Sequence, residues 1–234
     1  MIAAVGDLHM HEHSQGVFRD MFAKVSEEAN VLLICGDLTA AGLLKEAENL
    51  ALDLSSCTIP VLAVLGNHDY HSDSVDEIKK ILASAKVHFL EDEAYEIGEI
   101  GFAGVKGFCG GFDQYMLASF GEPAIKEFVA ESINEALKLE SELKYLETPK
   151  KVVVLHYSPI SETLIGEPTE IFPFMGSARL AETIDRFDVA AVFHGHAHHG
   201  SPEGKTAKGI PVYNCAYELM KKKNTEKSYT IFEI

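Results

Sequence analysis

Five short apolar runs in this chain each end in a cluster of side chains that bind metal ions. Residues 2–5 lead into Gly6, Asp7, Leu8 and His9. Residues 31–35 lead into Gly36 and Asp37, and residues 61–65 into Gly66, Asn67, His68 and Asp69. Residues 152–155 lead into His156, and residues 190–193 into His194, Gly195, His196, Ala197 and His198. Short runs rich in Val, Ile and Leu read as buried strands. Ligands carried at the ends of several buried strands converge at one edge of a sheet, where open α/β folds bind their ligands. The chain is therefore expected to build one polar, metal-binding edge above an apolar sheet.

The donor types narrow the chemistry. Hard divalent cations take carboxylate oxygen, and borderline ones also accept imidazole. Asp7 and His9 are two apart on a strand that is ending, so they share a face and can bind one ion. His196 and His198 repeat that spacing after Gly195, whose missing side chain permits a tight turn. Asp37 has two oxygens with which to bridge two ions. Asn67 offers a neutral amide oxygen and His156 a further imidazole. Two divalent ions outweigh Asp7, Asp37 and a bridging hydroxide, so the centre stays positive and attracts a phosphate anion. Two ions about 3.5–4 Å apart also acidify a shared water and clamp an in-line displacement. His68, next to Asn67, can stand near the ions without binding them and protonate a departing oxygen. Asp69 is read as orienting that ring or the strand end.

The ordered set Asp-x-His, Gly-Asp, Gly-Asn-His-Asp, a lone His after a strand, and Gly-His-x-His resembles the calcineurin-like metallophosphoesterase superfamily, in its small prokaryotic type. The resemblance spans nearly the whole chain. It implies an α/β fold, a four-layer α/β/β/α sandwich of two mixed β-sheets flanked by helices. It also implies one metal on Asp7, His9, Asp37 and His198, a second on Asp37, Asn67, His156 and His196, and a catalytic role for His68. One departure is instructive. Protein serine/threonine phosphatases of the superfamily carry GDxxDRG in the second motif, whereas here Ala40 and Ala41 replace the Asp and Arg. That argues against a protein phosphatase and removes the carboxylate that supports the catalytic histidine there.

The expected function is hydrolysis of a small phosphate ester by in-line attack of a metal-bridging hydroxide. A phosphodiesterase comes first and a phosphomonoesterase on nucleotides or sugar phosphates second. A non-catalytic metal-binding protein that retains the fold is the alternative of a different class. Manganese is the first expectation for the two ions, with iron or zinc as alternatives. The formal charge of −16, from 36 acidic and 20 basic residues, opposes binding of long nucleic acids. No apolar run approaches the ~20 residues that span a bilayer, and the N-terminus has no basic and apolar leader. Cys35, Cys57, Cys109 and Cys215 form no CxxC and are expected to be free thiols, which suits a cytoplasmic protein.

The motifs run from residue 7 to residue 198, so residues 1–234 are expected to form a single domain. Helices are expected near 16–29, 41–54, 74–83, 122–146 and 177–187, the last capped by Ser177. A hairpin is expected around Gly98 and Glu99, with further strands near 210–214 and 228–233. Glu91, Asp92 and Glu93 read as a solvated face, and Lys221–Lys223 as a solvated turn. His11 and His13 continue the alternation from His9; surface positions are favoured for both, with His11 retained as a substrate contact. Phe112 in the 106–115 loop and Arg179 are further substrate-contact candidates, with Lys106 beside them. For Phe112 a small hydrophobic cluster under the loops is the competing reading.

Overall fold

The computed structural model describes residues 1–91, 93–223 and 227–234. Its first sheet has the strand order β11-β1-β2-β3-β4. β1 (Ile2–Val5), β2 (Val31–Cys35), β3 (Val61–Val64) and β4 (Val87–Phe89) run parallel, and β11 (Thr230–Phe232) pairs antiparallel to β1. The crossovers are α1 (Arg19–Glu28), α2 (Leu44–Leu54) and α3 (Val75–Ser84). Parallel neighbours require such crossovers, and each helix lays its apolar face back on the sheet.

The second sheet has the order β5-β6-β7-β8-β10-β9. β5 (Tyr95–Ile97) and β6 (Ile100–Val105) form the expected hairpin, with Ile97 opposite Ile100. β7 (Lys150–Leu155), β8 (Ala191–His194) and β10 (Pro211–Asn214) extend it in parallel, and β9 (Glu203–Lys205) closes the edge antiparallel. The helices of this half are α4 (Pro123–Tyr145), the short α5 (Phe172–Met175), α6 (Ala178–Ile184) and α7 (Tyr217–Lys223). Ser177 caps α6 by accepting the Arg179 N–H.

Alternation along the strands sorts the core into layers. Ala3, Val5, Leu32, Ile34 and Ala63 face Phe22, Leu50 and Leu82 of the first helices. Their neighbours Ile2, Ala4, Leu33 and Val64 turn the other way and meet Phe102, Val152, Val154 and Phe193 of the second sheet. Val153, Leu155 and Val192 then face Leu139 and Leu143 of α4 and Leu180 of α6. The result is helix, sheet, sheet, helix, with the central strands buried on both faces and β5, β9 and β11 partly open at the sheet edges.

Two surface expectations are corrected. Glu91 is not on a solvated face: it lies against Lys79 of α3 at 3.7 Å and accepts the Leu65 N–H. Asp92 lies outside the described residues. Lys221–Lys223 end α7 instead of forming a turn, and Lys222 reaches the His199 ring at 3.1 Å.

Candidate metal centre and active site

All the candidate ligands stand just beyond the C-terminal ends of strands, on the same side of the two face-packed sheets. Asp7 and His9 follow β1, Asp37 follows β2 and Asn67 follows β3. His156 follows β7, and His196 and His198 follow β8. Hydrogen bonds between the two halves lock the arrangement. The His196 N–H donates to the Asp7 carboxylate at 2.9 and 3.0 Å, and His156 Nδ1 lies 3.0 Å from the Cys35 carbonyl. Gly195 matters here for close approach: a Cβ on it would stand 2.5 Å from Asp7 Oδ2.

Three groups of donors converge closely enough to hold a cation: Asp7, His9 and His198; His9, Asp37 and His68; and Asp37, His156 and His196. His198 Nε2 lies 3.2 Å from Asp7 Oδ1 and 3.5 Å from His9 Nε2. Asp37 presents Oδ2 to His9 Nε2 at 3.7 Å and Oδ1 to His156 Nε2 at 3.5 Å. Asn67 joins the second set, its Oδ1 being 2.9 Å from His156 Nε2.

The donor chemistry fits a metal ion. A carbonyl can only accept, so the Cys35 contact keeps the proton of His156 on Nδ1 and leaves Nε2 as a bare lone pair. That lone pair faces the amide oxygen of Asn67, an arrangement a cation reconciles. Burial holds His156 well below the usual imidazole range, lowers His196 to about 3 and lowers His9 to about 4, so all three are neutral near pH 7, as metal coordination requires. His198 is raised instead, by its hydrogen bond to Asp7. Burial, and then repulsion from Asp7 and Asp69, push Asp37 well above the usual carboxylate range. A divalent ion reverses that penalty by supplying the missing positive charge.

His68 is exposed beside this centre, with its ring 4.5 Å from that of His9. Its Nδ1 lies 2.6 Å from the Ala40 carbonyl, which takes the place of the missing supporting carboxylate. That contact fixes the proton on Nδ1 and leaves Nε2 to exchange protons. Ala40 acts through its backbone, so no side-chain pattern could have pointed to it. Asp69 serves the strand ends. Fully buried, it accepts from the N–H groups of Gly66, Leu38 and Thr39 and from the Thr39 hydroxyl, and so ties the loops after β2 and β3 together.

The proposed substrate contacts are placed differently. His11 is exposed, close enough to influence His9. Phe112 is buried among Leu164, Met175 and Ala197, a small cluster under the loops. Arg179 on α6 donates to the Leu117 carbonyl at 2.9 Å and lines a groove with Ile133 and Glu140 of α4. His194 is buried and bonds Gly195 and Thr163, consistent with packing at the strand end. Cys35, Cys109 and Cys215 are buried, Cys57 is partly so, and all four are free thiols.

Comparison with known families now decides the kinship. The model of the calcineurin-like phosphoesterase family matches residues 1–200. The chain belongs to this family. Solved structures agree on the fold. TT1561 of Thermus thermophilus is 16% identical with a TM-score of 0.56, covering 94% of this chain and 90% of that one. A hypothetical protein from Thermus thermophilus is 17% identical with a TM-score of 0.52, covering 91% and 74%. A Staphylococcus aureus protein provisionally named a 5′-nucleotidase, solved with alpha-ketoglutarate, is 15% identical with a TM-score of 0.55; the match covers 91% of this chain and 48% of that one. No curated protein sequence is a significant match. Among the described residues, no helix is long and apolar enough to cross a membrane. Family membership makes the chain a phosphate-ester hydrolase of the metal-binding type, and the convergent donors supply its candidate ligands.

Proposed function

We propose that residues 1–234 form one dinuclear, manganese-dependent phosphodiesterase domain that acts on small diesters in the cytoplasm. The observation that carries the dinuclear reading is the placement of Asp37. Its two oxygens face two different imidazole sets, His9 on one side and His156 on the other. One ion would sit on Asp7, His9, Asp37 and His198, the other on Asp37, Asn67, His156 and His196. When bound, the ions supply charge neutralisation and an acidified water. In its doubly protonated form His68 would give its Nε2 proton to the departing alcohol, while Nδ1–H stays on the Ala40 carbonyl and holds the ring in place. Asp69 keeps the loops that carry Asp37 and Asn67 in register. His11 and His68 are both exposed on the side of His9, and an open face there supports a substrate with a second ester arm. A phosphomonoesterase is the second reading. It is favoured by the buried cation Lys106 near the site and by the name of the Staphylococcus aureus neighbour.

Initial rates on bis-p-nitrophenyl phosphate and p-nitrophenyl phosphate, with manganese restored after chelation, test the reading. Manganese-dependent turnover with faster diester cleavage is expected. His68→Ala should lower kcat by about 10²–10⁴-fold, the usual range for a general acid, with bound manganese unchanged. Full activity in that variant would remove His68 from the mechanism. Silence on both esters with two manganese ions per chain would favour the non-catalytic alternative.

A further inference from the structure

Lys106 is a buried cation with unused hydrogen-bonding capacity, next to the candidate ligands. β6 and β7 pair with Val105 opposite Leu155, so Lys106 stands beside His156 at the same sheet edge. Its carbonyl accepts the N–H groups of His156 and Tyr157 at 3.1 and 3.0 Å. Its ammonium donates to the Gly107 carbonyl at 2.8 Å. It also sits over three rings, 4.9 Å from the centre of Phe108 and 5.5 Å from those of Tyr70 and Tyr157. Tyr157 packs in turn on the candidate ligand His196, with ring centroids 4.5 Å apart, and Tyr70 follows His68 and Asp69 in the same turn. The cage around Lys106 therefore shares a wall with the metal centre.

Lys106 is only 8% exposed. An ammonium has three donors, and one is used here. Burying such a charge is unfavourable unless an anion or further acceptors complete its shell. The aromatic faces offset part of that cost and fix the direction of the side chain. The nearby buried acids are otherwise engaged, Glu91 with Lys79 and Leu65, and Glu135 with Lys138 and Gly107. Among the described residues, no carboxylate forms an ion pair with Lys106.

We infer that Lys106 is a substrate-binding, specificity-determining residue whose free N–H groups take the unesterified oxygens of the substrate phosphate and so favour a dianion. This rests on the phosphate-ester reading above and deepens its second, phosphomonoesterase arm, by naming the residue that would strengthen monoester binding whichever ester is cleaved faster. A monoester carries the second charge and a diester does not, so the cost of losing the ammonium falls mainly on the monoester.

The test replaces Lys106 by methionine, which is neutral and suits an aromatic cage, and by glutamine, which keeps a donor for Gly107 should the methionine variant not fold. For the manganese-loaded protein, the dissociation constant for inorganic phosphate, read by calorimetry, should rise about tenfold, as expected for one lost charged hydrogen bond. The KM for p-nitrophenyl phosphate should rise by a similar factor and that for bis-p-nitrophenyl phosphate by less than about twofold. Bound manganese should not change. The phosphate titration needs no turnover, so it decides the role of Lys106 even if neither ester is cleaved, a result that counts against the hydrolase reading alone. Unchanged phosphate affinity, equal KM increases for both esters, or loss of manganese in the folded variants would each overturn the assignment.

Discussion

Four of the candidate ligands hold backbone conformations that residues other than glycine seldom adopt: Asp7 with φ of 56°, His9 with 43°, Asp37 with 49° and His196 with 69°. Each such residue costs on the order of 1–3 kcal/mol and persists only where its surroundings impose it. Here the surroundings are the hydrogen bonds between strand ends, including those from His196 to Asp7 and from the His68 N–H to Asp37 Oδ1 at 2.8 Å. The burial of Asp37 beside Asp7 and Asp69 adds an electrostatic cost. On the proposed reading cation binding is what these costs serve, so Asp37→Asn separates function from stability. The asparagine keeps one oxygen and loses the charge. Bound manganese per chain should fall at both positions. The chelated variant should melt no lower than the chelated wild type, because the asparagine is neutral in both states, whereas burial obliges the Asp37 carboxyl either to stay charged away from water or to take up a proton. Unchanged manganese in elemental analysis would refute the bridging role.

At the scale of elements, the loops after β2 and β3 come together so closely that they exclude a methyl group. A Cβ on Gly66 would lie 2.1 Å from Asp37 Oδ1 and 2.2 Å from the Asp37 backbone nitrogen. Backbone cannot yield as a side-chain tip can. Gly66→Ala should therefore destabilise the protein by about 2–3 kcal/mol, the upper range for overpacking, and weaken manganese binding as well. Gly98 in the β5–β6 turn is the control. It has φ of 59° and nothing near its missing Cβ, so Gly98→Ala should cost about 1 kcal/mol and leave manganese binding intact. Urea midpoints and metal content distinguish the two, and equal behaviour would contradict the close approach. This contact also marks what the sequence could convey. The positions of the ligand loops were readable, because runs such as Val31–Cys35 and residues 152–155 have strand composition and end in the motifs. The devices between the loops were not, because Ala40 acts through its carbonyl and Asp69 through backbone N–H groups. The strand β9, Glu203–Lys205, has a glycine between two charged residues and carries no apolar pattern to stand out. α7 was missed because its lysines suggested an exposed turn.

For the whole molecule, the excess of acid is not confined to the surface. Glu91 was read as surface charge because it begins an acidic triplet, yet it joins α3, through Lys79, to the end of β3, through Leu65. Burial raises its pKa to about 7 from the ordinary value of 4.5, against the opposing pull of Lys79. The sign of the consequence follows from linkage. Between pH 4.5 and 7 the folded chain holds a proton at Glu91 that the unfolded chain has released, so stability falls as pH rises through that window. The full effect is on the order of 3 kcal/mol. Glu91→Gln removes the titration and keeps an acceptor for the Leu65 N–H. The variant should therefore lose less stability than the wild type between pH 5 and pH 8. Both proteins contain Asp37 and Asp69, so the difference between their urea unfolding free energies isolates Glu91. Parallel pH profiles would show that Lys79 already neutralises it and that its burial carries no cost.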